Sequence, residues 1–173
     1  MAVEQYFHSL WSIRPLDSFA AAAAVYGLYV CIAIAAVAWI RIRPRGSLLP
    51  FLFGAIVSAA AVLIAGALHH EQRPFVVLGL RPLVPHGNDN GFPSDHSAVA
   101  SFVSTFALFV DPPLGYAAWI ATIVLGAGRS YCLLHTPIDV IAGWLLGSLP
   151  ALAAGLIWRK QRWITVSSPP HSS

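Results

Sequence analysis

Between Phe19 and Ile40 the chain runs for 22 residues without a charged side chain, and Leu48 to Leu68 does the same over 21. About 20 such residues span about 30 Å of hydrocarbon as a helix. Inside a bilayer only helices and closed barrels satisfy every backbone N–H and C=O group. Neither run alternates in polarity as a barrel strand would, so both are expected to be membrane helices. Ile138 to Trp158 is a third candidate, with a single carboxylate, Asp139, near its start. Leu114 to Leu134 is long enough but contains Arg129, and Ser97 to Val110 suffices only if its helix begins several residues earlier. The expected fold is all-α: a polytopic membrane helix bundle of about five transmembrane helices. Composition agrees, with 57% apolar and 10% charged residues, against about 45–50% and about 25% in soluble domains. An ordinary soluble enzyme, a disordered chain and a disulfide scaffold are excluded together. Cys31 and Cys132 are too few for a framework.

The few charges are grouped. Arg41, Arg43 and Arg45 follow one apolar run, and Arg159, Lys160 and Arg162 follow another, the pattern of loops held on the cytoplasmic side. One topology satisfies both clusters. It puts the N-terminus outside, the Asp111-Pro112-Pro113 turn and the C-terminal basic cluster inside, and Leu68–Phe92 and Cys132–Pro137 outside. Residues 1–18 lack the basic leader and small-residue cleavage site of a signal peptide. Tyr6, Phe7, Leu10, Trp11 and Ile13 recur at helical spacing, predicting an interfacial helix on the outer surface. Residues 1–164 are expected to form a single membrane-embedded domain, and the Ser/Pro-rich stretch 165–173 a disordered tail. Despite a net charge of +3, no basic stripe or aromatic platform supports nucleic-acid binding.

An ionisable residue near the hydrocarbon costs about 2.5–3.5 kcal/mol on insertion scales, which makes each a functional candidate. Arg73, Asp95, His96, Arg129, His135 and Asp139 all fall at ends of spans, and the topology delivers all those ends to the outer side. Two guanidiniums suit a tetrahedral oxyanion through forked, charge-assisted hydrogen bonds. In Phe92-Pro93-Ser94-Asp95-His96-Ser97 a turn leads into a helix with Ser94 at the N-cap, where free N–H groups form a further anion contact. Pro137 fits the first position of the last helix and Thr136 its cap. His135 then lies just outside that helix, within reach of an orienting Asp139 carboxylate. Taken singly, these residues have plainer explanations: Thr136 and Asp139 as a capping box, Ser94 as a cap, Arg73 or Arg129 as a snorkelling anchor. Those explanations leave their shared side and paired spacings unaccounted for.

Arg73-Pro74, Pro93-Ser94-Asp95-His96 and Arg129-x5-His135-x3-Asp139, separated by 18 and 32 residues, resemble the three-part signature of the type 2 phosphatidic acid phosphatase superfamily of membrane lipid phosphatases. Three ordered blocks are far more specific than one short motif. The resemblance implies that His135 is a nucleophile forming a phosphohistidine, that Asp139 orients it and that His96 protonates the leaving group. It further implies that Arg73, Ser94 and Arg129, with the backbone around Asp95, bind the phosphoryl group, and that neither metal nor other cofactor is needed. Three positions depart from the pattern. Gly66 stands where the first motif has a lysine, Asp95 where the second has a glycine, and Gly128 where the third has a serine. Phe-Pro-Ser-Asp-His is similar to the bacitracin-resistance branch, whose members are undecaprenyl-diphosphate phosphatases. That branch implies a polyprenyl diphosphate as lipid substrate, a bacterial inner (cell) membrane location, and a site on the periplasmic or extracellular side.

Alternatives stay open at this point. A broader lipid phosphatase would act on phosphatidylglycerol phosphate or phosphatidic acid. Metal hydrolysis would use His69, His70, Glu71 and His86, although His-His-Glu is not the H-E-x-x-H spacing. A transporter or channel would place charges at the membrane midplane, where 20–38 and 52–65 carry none. Oligomeric state is not legible.

Overall fold

The structure, a computed structural model, describes residues 14–167, with side chains described for 15–162. It is all-helical: α1 Arg14–Ile42, α2 Leu48–Leu68, the single turn α3 Pro74–Val77, α4 Asp95–Val110, α5 Pro112–Tyr131 and α6 Pro137–Ser167. The interfacial helix expected from Tyr6 to Ile13 lies outside the described residues. At the other terminus α6 carries through 165–167, which composition assigns to the tail, and 168–173 lie outside the described residues.

Residues 15–42, 48–68 and 137–162 are long and apolar enough to cross a membrane. α4 has 16 residues, about 24 Å at 1.5 Å per residue, and begins at Asp95, two residues before the apolar run. Large apolar side chains face outward on the long helices, among them Leu49 (78% exposed), Leu63 (73%) and Leu68 (83%). A water-soluble monomer does not present apolar area on that scale, so lipid covers it.

Helices pack through small residues, which let backbones approach where lipid gives no hydrophobic drive. A Cβ at Gly143 would meet the Ser94 carbonyl, and one at Gly147 the Ala98 carbonyl, so α6 lies directly on α4. At Gly128 a Cβ would meet Ala20 O at 2.8 Å and Ala23 Cβ at 3.0 Å. The glycine is what admits α1 against the end of α5, which accounts for one departure from the family pattern. Pro150 inside α6 removes the N–H that would bond Leu146 O. Ser58 of α2 supplies the replacement, its hydroxyl donating to Leu146 O at 3.0 Å.

The two ends of the bundle differ. At one, Phe102, Phe106, Ala151, Ala154 and Trp158 form an aromatic core; Trp158 Nε1 donates to Arg45 O at 3.1 Å and Arg162 lies over the Trp158 ring. Both basic clusters therefore share that end. The opposite end holds the carboxyl ends of α2 and α5, the amino ends of α1, α4 and α6, and the long 69–94 connection. Cys31 and Cys132 are buried free thiols.

Candidate active site

Local structure brings His135 back onto the helix it has just left. α5 closes with Leu133 in the left-handed region (φ 59°), and the N–H groups of Leu134 and His135 both reach Arg129 O, at 3.0 and 3.4 Å. Such backward bonds satisfy terminal helix carbonyls. They also fold His135 beside the Arg129 side chain. Thr136 and Asp139 then start α6 as a reciprocal capping box: Thr136 N donates to Asp139 Oδ2 at 2.7 Å, and Asp139 N donates to Thr136 Oγ1 at 3.2 Å.

Arg73, 61 residues before Leu134 and 62 before His135, enters the same cluster. Its Nη1 donates to Leu134 O at 2.9 Å and lies 3.2 Å from His135 Nε2. Arg129 Nη2 lies 3.0 Å from the same nitrogen. Guanidiniums only donate, so Nε2 is an acceptor and carries no proton. His135 Nδ1 carries it and donates to Gly91 O at 2.8 Å. The ring is buried, and its pKa falls to about 3, first through desolvation and then through the charges of Arg129 and Arg73. A neutral imidazole thus presents an unprotonated nitrogen to two cations.

The arginines are not equivalent. Arg73 is fully engaged, with Nε on Asp89 Oδ1 at 3.0 Å and Nη2 on Asn90 O at 3.2 Å. That contact holds the Asp89 carboxyl below its usual range. Arg129 is 3% exposed and its Nε–H has no hydrogen-bond partner among the described residues. A buried donor left open in this way costs about 1–3 kcal/mol, and a ligand oxygen would satisfy it. Asp139 Oδ1 is likewise buried and unpartnered.

The remaining expected residues fall at the same end. Asp139 Oδ2 stands 3.9 Å from His135 Nδ1, within Coulombic range but beyond a hydrogen bond; Gly91 holds the ring instead. Ser94 caps α4, its hydroxyl accepting from Ser97 N at 3.4 Å and donating to Ser97 Oγ at 2.9 Å. Its own N–H donates to Asp139 O at 3.1 Å, which ties the two motifs together and takes that amide out of the expected anion cradle. Asp95 binds its neighbour: Oδ1 accepts from His96 N at 2.8 Å and from His96 Nδ1 at 3.0 Å. An ionised carboxylate has no donor to offer a phosphate, which leaves the backbone N–H as the group of this residue able to meet an anion. His96, one-third exposed, keeps Nε2 as its free ring nitrogen. His69 lies 3.6 Å from Glu71 and edge-on to Phe92. Among the described residues no three His, Cys, Asp or Glu side chains form a metal-ligating group.

Sequence reasoning missed Asp89, Asn90 and Gly91. Two act through backbone carbonyls, which leave no side-chain signature; a carboxylate before the Pro93 block was the one available signal. A groove of about 390 Å³ also opens between α2 and α4. Ala55, Ala59, Val62, Val99 and Phe102 line it, and Asp95 stands at its site end.

Residues 47–163 match the model of the PAP2 superfamily. The chain belongs to this superfamily and is a multi-pass membrane protein. It is 34% identical over 90 residues to the bacitracin transport permease protein BcrC of Bacillus licheniformis, which covers 51% of this chain and 44% of that protein. To the undecaprenyl-diphosphatase BcrC of Bacillus subtilis (strain 168) it is 32% identical over 105 residues, 53% of this chain and 54% of that one. The matches thus span about half the length of these curated relatives. The fold is shared with the crystal structure of a PAP2 type phosphatidylglycerolphosphate phosphatase from Bacillus subtilis, at a TM-score of 0.63 and 20% identity over 84% of this chain and 77% of that one.

Proposed function

We propose that the chain is an integral membrane phosphatase that removes the terminal phosphate of undecaprenyl diphosphate, with His135 as nucleophile and no metal. One observation carries the reading: His135 Nε2 is unprotonated, fixed from behind by Gly91 O and faced by Arg73 and Arg129 at 3.2 and 3.0 Å. An entering phosphoryl group takes those N–H donors onto its oxygens, together with the open Arg129 Nε–H. Its phosphorus is thereby set in front of the nitrogen they uncover. The Nε2 lone pair attacks phosphorus, the bridging P–O bond breaks, and polyprenyl phosphate leaves with a proton from His96. Water, giving its proton to His96, then attacks the phosphohistidine. The P–N bond breaks, its electrons return to Nε2, and inorganic phosphate departs. Charge stabilisation comes from preorganised donors. The Asp139 carboxylate offsets the positive charge that His135 gains as a phosphohistidine.

The groove between α2 and α4 supports a lipid substrate, since it joins an apolar channel to Asp95. The relatives' names favour a diphosphate. The basic clusters at the far end support an orientation with the site on the outer side of a bacterial cell membrane.

The test is phosphate release by the purified protein from undecaprenyl diphosphate, phosphatidic acid and phosphatidylglycerol phosphate side by side, with and without EDTA. We expect the diphosphate to be preferred, EDTA to change nothing, and His135→Ala to abolish release in a folded protein. Preference for phosphatidylglycerol phosphate would move the assignment to the broader lipid phosphatases. Loss with EDTA and rescue by zinc would overturn the metal-free reading.

A further inference from the structure

Asp89-Asn90-Gly91 touches both the nucleophile and a phosphate arginine, and the side chain at its centre is bonded at every position. Asn90 Oδ1 accepts from Glu71 N at 2.9 Å and Phe92 N at 3.0 Å. Its Nδ2 donates to Gly66 O at 2.9 Å and His69 O at 3.0 Å. A carboxamide offers two acceptor sites and two donors, so this one is full and none of it is left for a substrate. Gly91 N adds a bond to Glu71 O at 2.8 Å. A Cβ at Gly91 would meet Glu71 O at 3.2 Å and Arg73 Cγ at 3.4 Å, so the strip lies flat against Arg73. The other groups of the strip face the reacting residues. Asp89 Oδ1 takes Arg73 Nε, Asn90 O takes Arg73 Nη2, and Gly91 O takes His135 Nδ1.

Resting on the function proposed above, we infer that Asn90 is a positioning residue: its side chain fixes the 89–91 strip to the end of α2, and the strip aims Arg73 and sets the ring of His135. The carbonyls of a helix's last turn lack intrahelical partners, and Asn90 Nδ2 supplies one to Gly66 O. A Cβ there would stand 3.7 Å from Asn90 Nδ2 and 3.3 Å from Phe92 O. The segment joining α2 to the second motif thereby becomes a template held by α2 itself.

A mere helix-end cap would have the same bonds, so the test needs a readout that capping does not move. Asn90→Ala and Asn90→Asp are compared with Asn88→Ala in the full chain in detergent. Each is assayed for kcat/KM on undecaprenyl diphosphate, folded fraction, and the 15N signals of His135. Asn90→Asp keeps the acceptor for Glu71 and Phe92 and loses the donor, and it decides the matter if the alanine variant fails to fold. We expect kcat/KM per folded molecule to fall about 10- to 100-fold, since displacement of about 1 Å costs that order of rate, with the Nδ1–H signal of His135 weakened or exchanging faster. Asn88→Ala should behave as wild type. An unchanged rate per folded molecule with an unchanged His135 signal overturns the inference. An inactive wild type overturns the proposed function instead, and the 15N signal of the variants still decides the role of Asn90.

Discussion

His135 Nδ1–H donates a hydrogen bond to the carbonyl of Gly91 at 2.8 Å, while the Asp139 carboxylate, four residues along the chain, stands 3.9 Å from that nitrogen. The tautomer is therefore set by backbone and the charge by a side chain, two tasks that a catalytic triad assigns to one acid. Asp139 is committed to the first turn of α6 through Thr136 N, and its carbonyl to Ser94 N.

Asp139→Asn separates these tasks. The resting tautomer should persist, because Gly91 O is untouched, while kcat falls about 10- to 100-fold through the loss of the charge that offsets the cationic phosphohistidine. 15N spectra of the variant beside its steady-state rate check this. A scrambled tautomer would return the orienting role to Asp139.

The pH behaviour of His135 follows from its surroundings. With a folded pKa of about 3 against about 6.5 unfolded, the ring is neutral from neutral pH down to about pH 4. Between those two values the unfolded chain binds the proton and the folded chain does not, so this residue makes stability fall as the pH drops through that window. Titration by 15N NMR should show no imidazolium at position 135 at pH 5, and His135→Asn should flatten the acid side of the stability curve.

Bulk in the α2–α4 groove should discriminate by chain length. Ala59→Trp is expected to lower kcat/KM on undecaprenyl diphosphate about tenfold or more, and to leave a short-chain isoprenyl diphosphate within about twofold. Equal loss on both would show that the tail runs elsewhere.

Orientation is checked by labelling. A cysteine at Gly87, in the connection that carries Asp89, should react with an impermeant thiol reagent added to intact cells, and one at Pro113 should react only after permeabilisation. The reverse pattern would place the site on the cytoplasmic face.

Much of this architecture is legible in the residue order. Apolar runs of membrane length dictated helices at 19–40, 48–68 and 138–158, because a bilayer leaves backbone groups no other partner. The same constraint sends alternate helix ends to opposite faces, so Arg73, Asp95, His96, Arg129, His135 and Asp139 were bound to meet at one end of the bundle. The Thr136–Asp139 capping box was equally readable, being a contact between near neighbours. What the order of residues left open was who holds whom at that end. Gly91 on His135, Asp89 on Arg73, and Ser94 N–H on Asp139 O depend on offsets of about an ångström between segments separated in the chain, and two of the three end on carbonyls that every residue possesses. Hydrophobic length fixes which end of the membrane a residue occupies; only the packing of α1 on α5 through Gly128 and of α4 on α6 through Gly143 and Gly147 decides which atoms come within a hydrogen bond of each other.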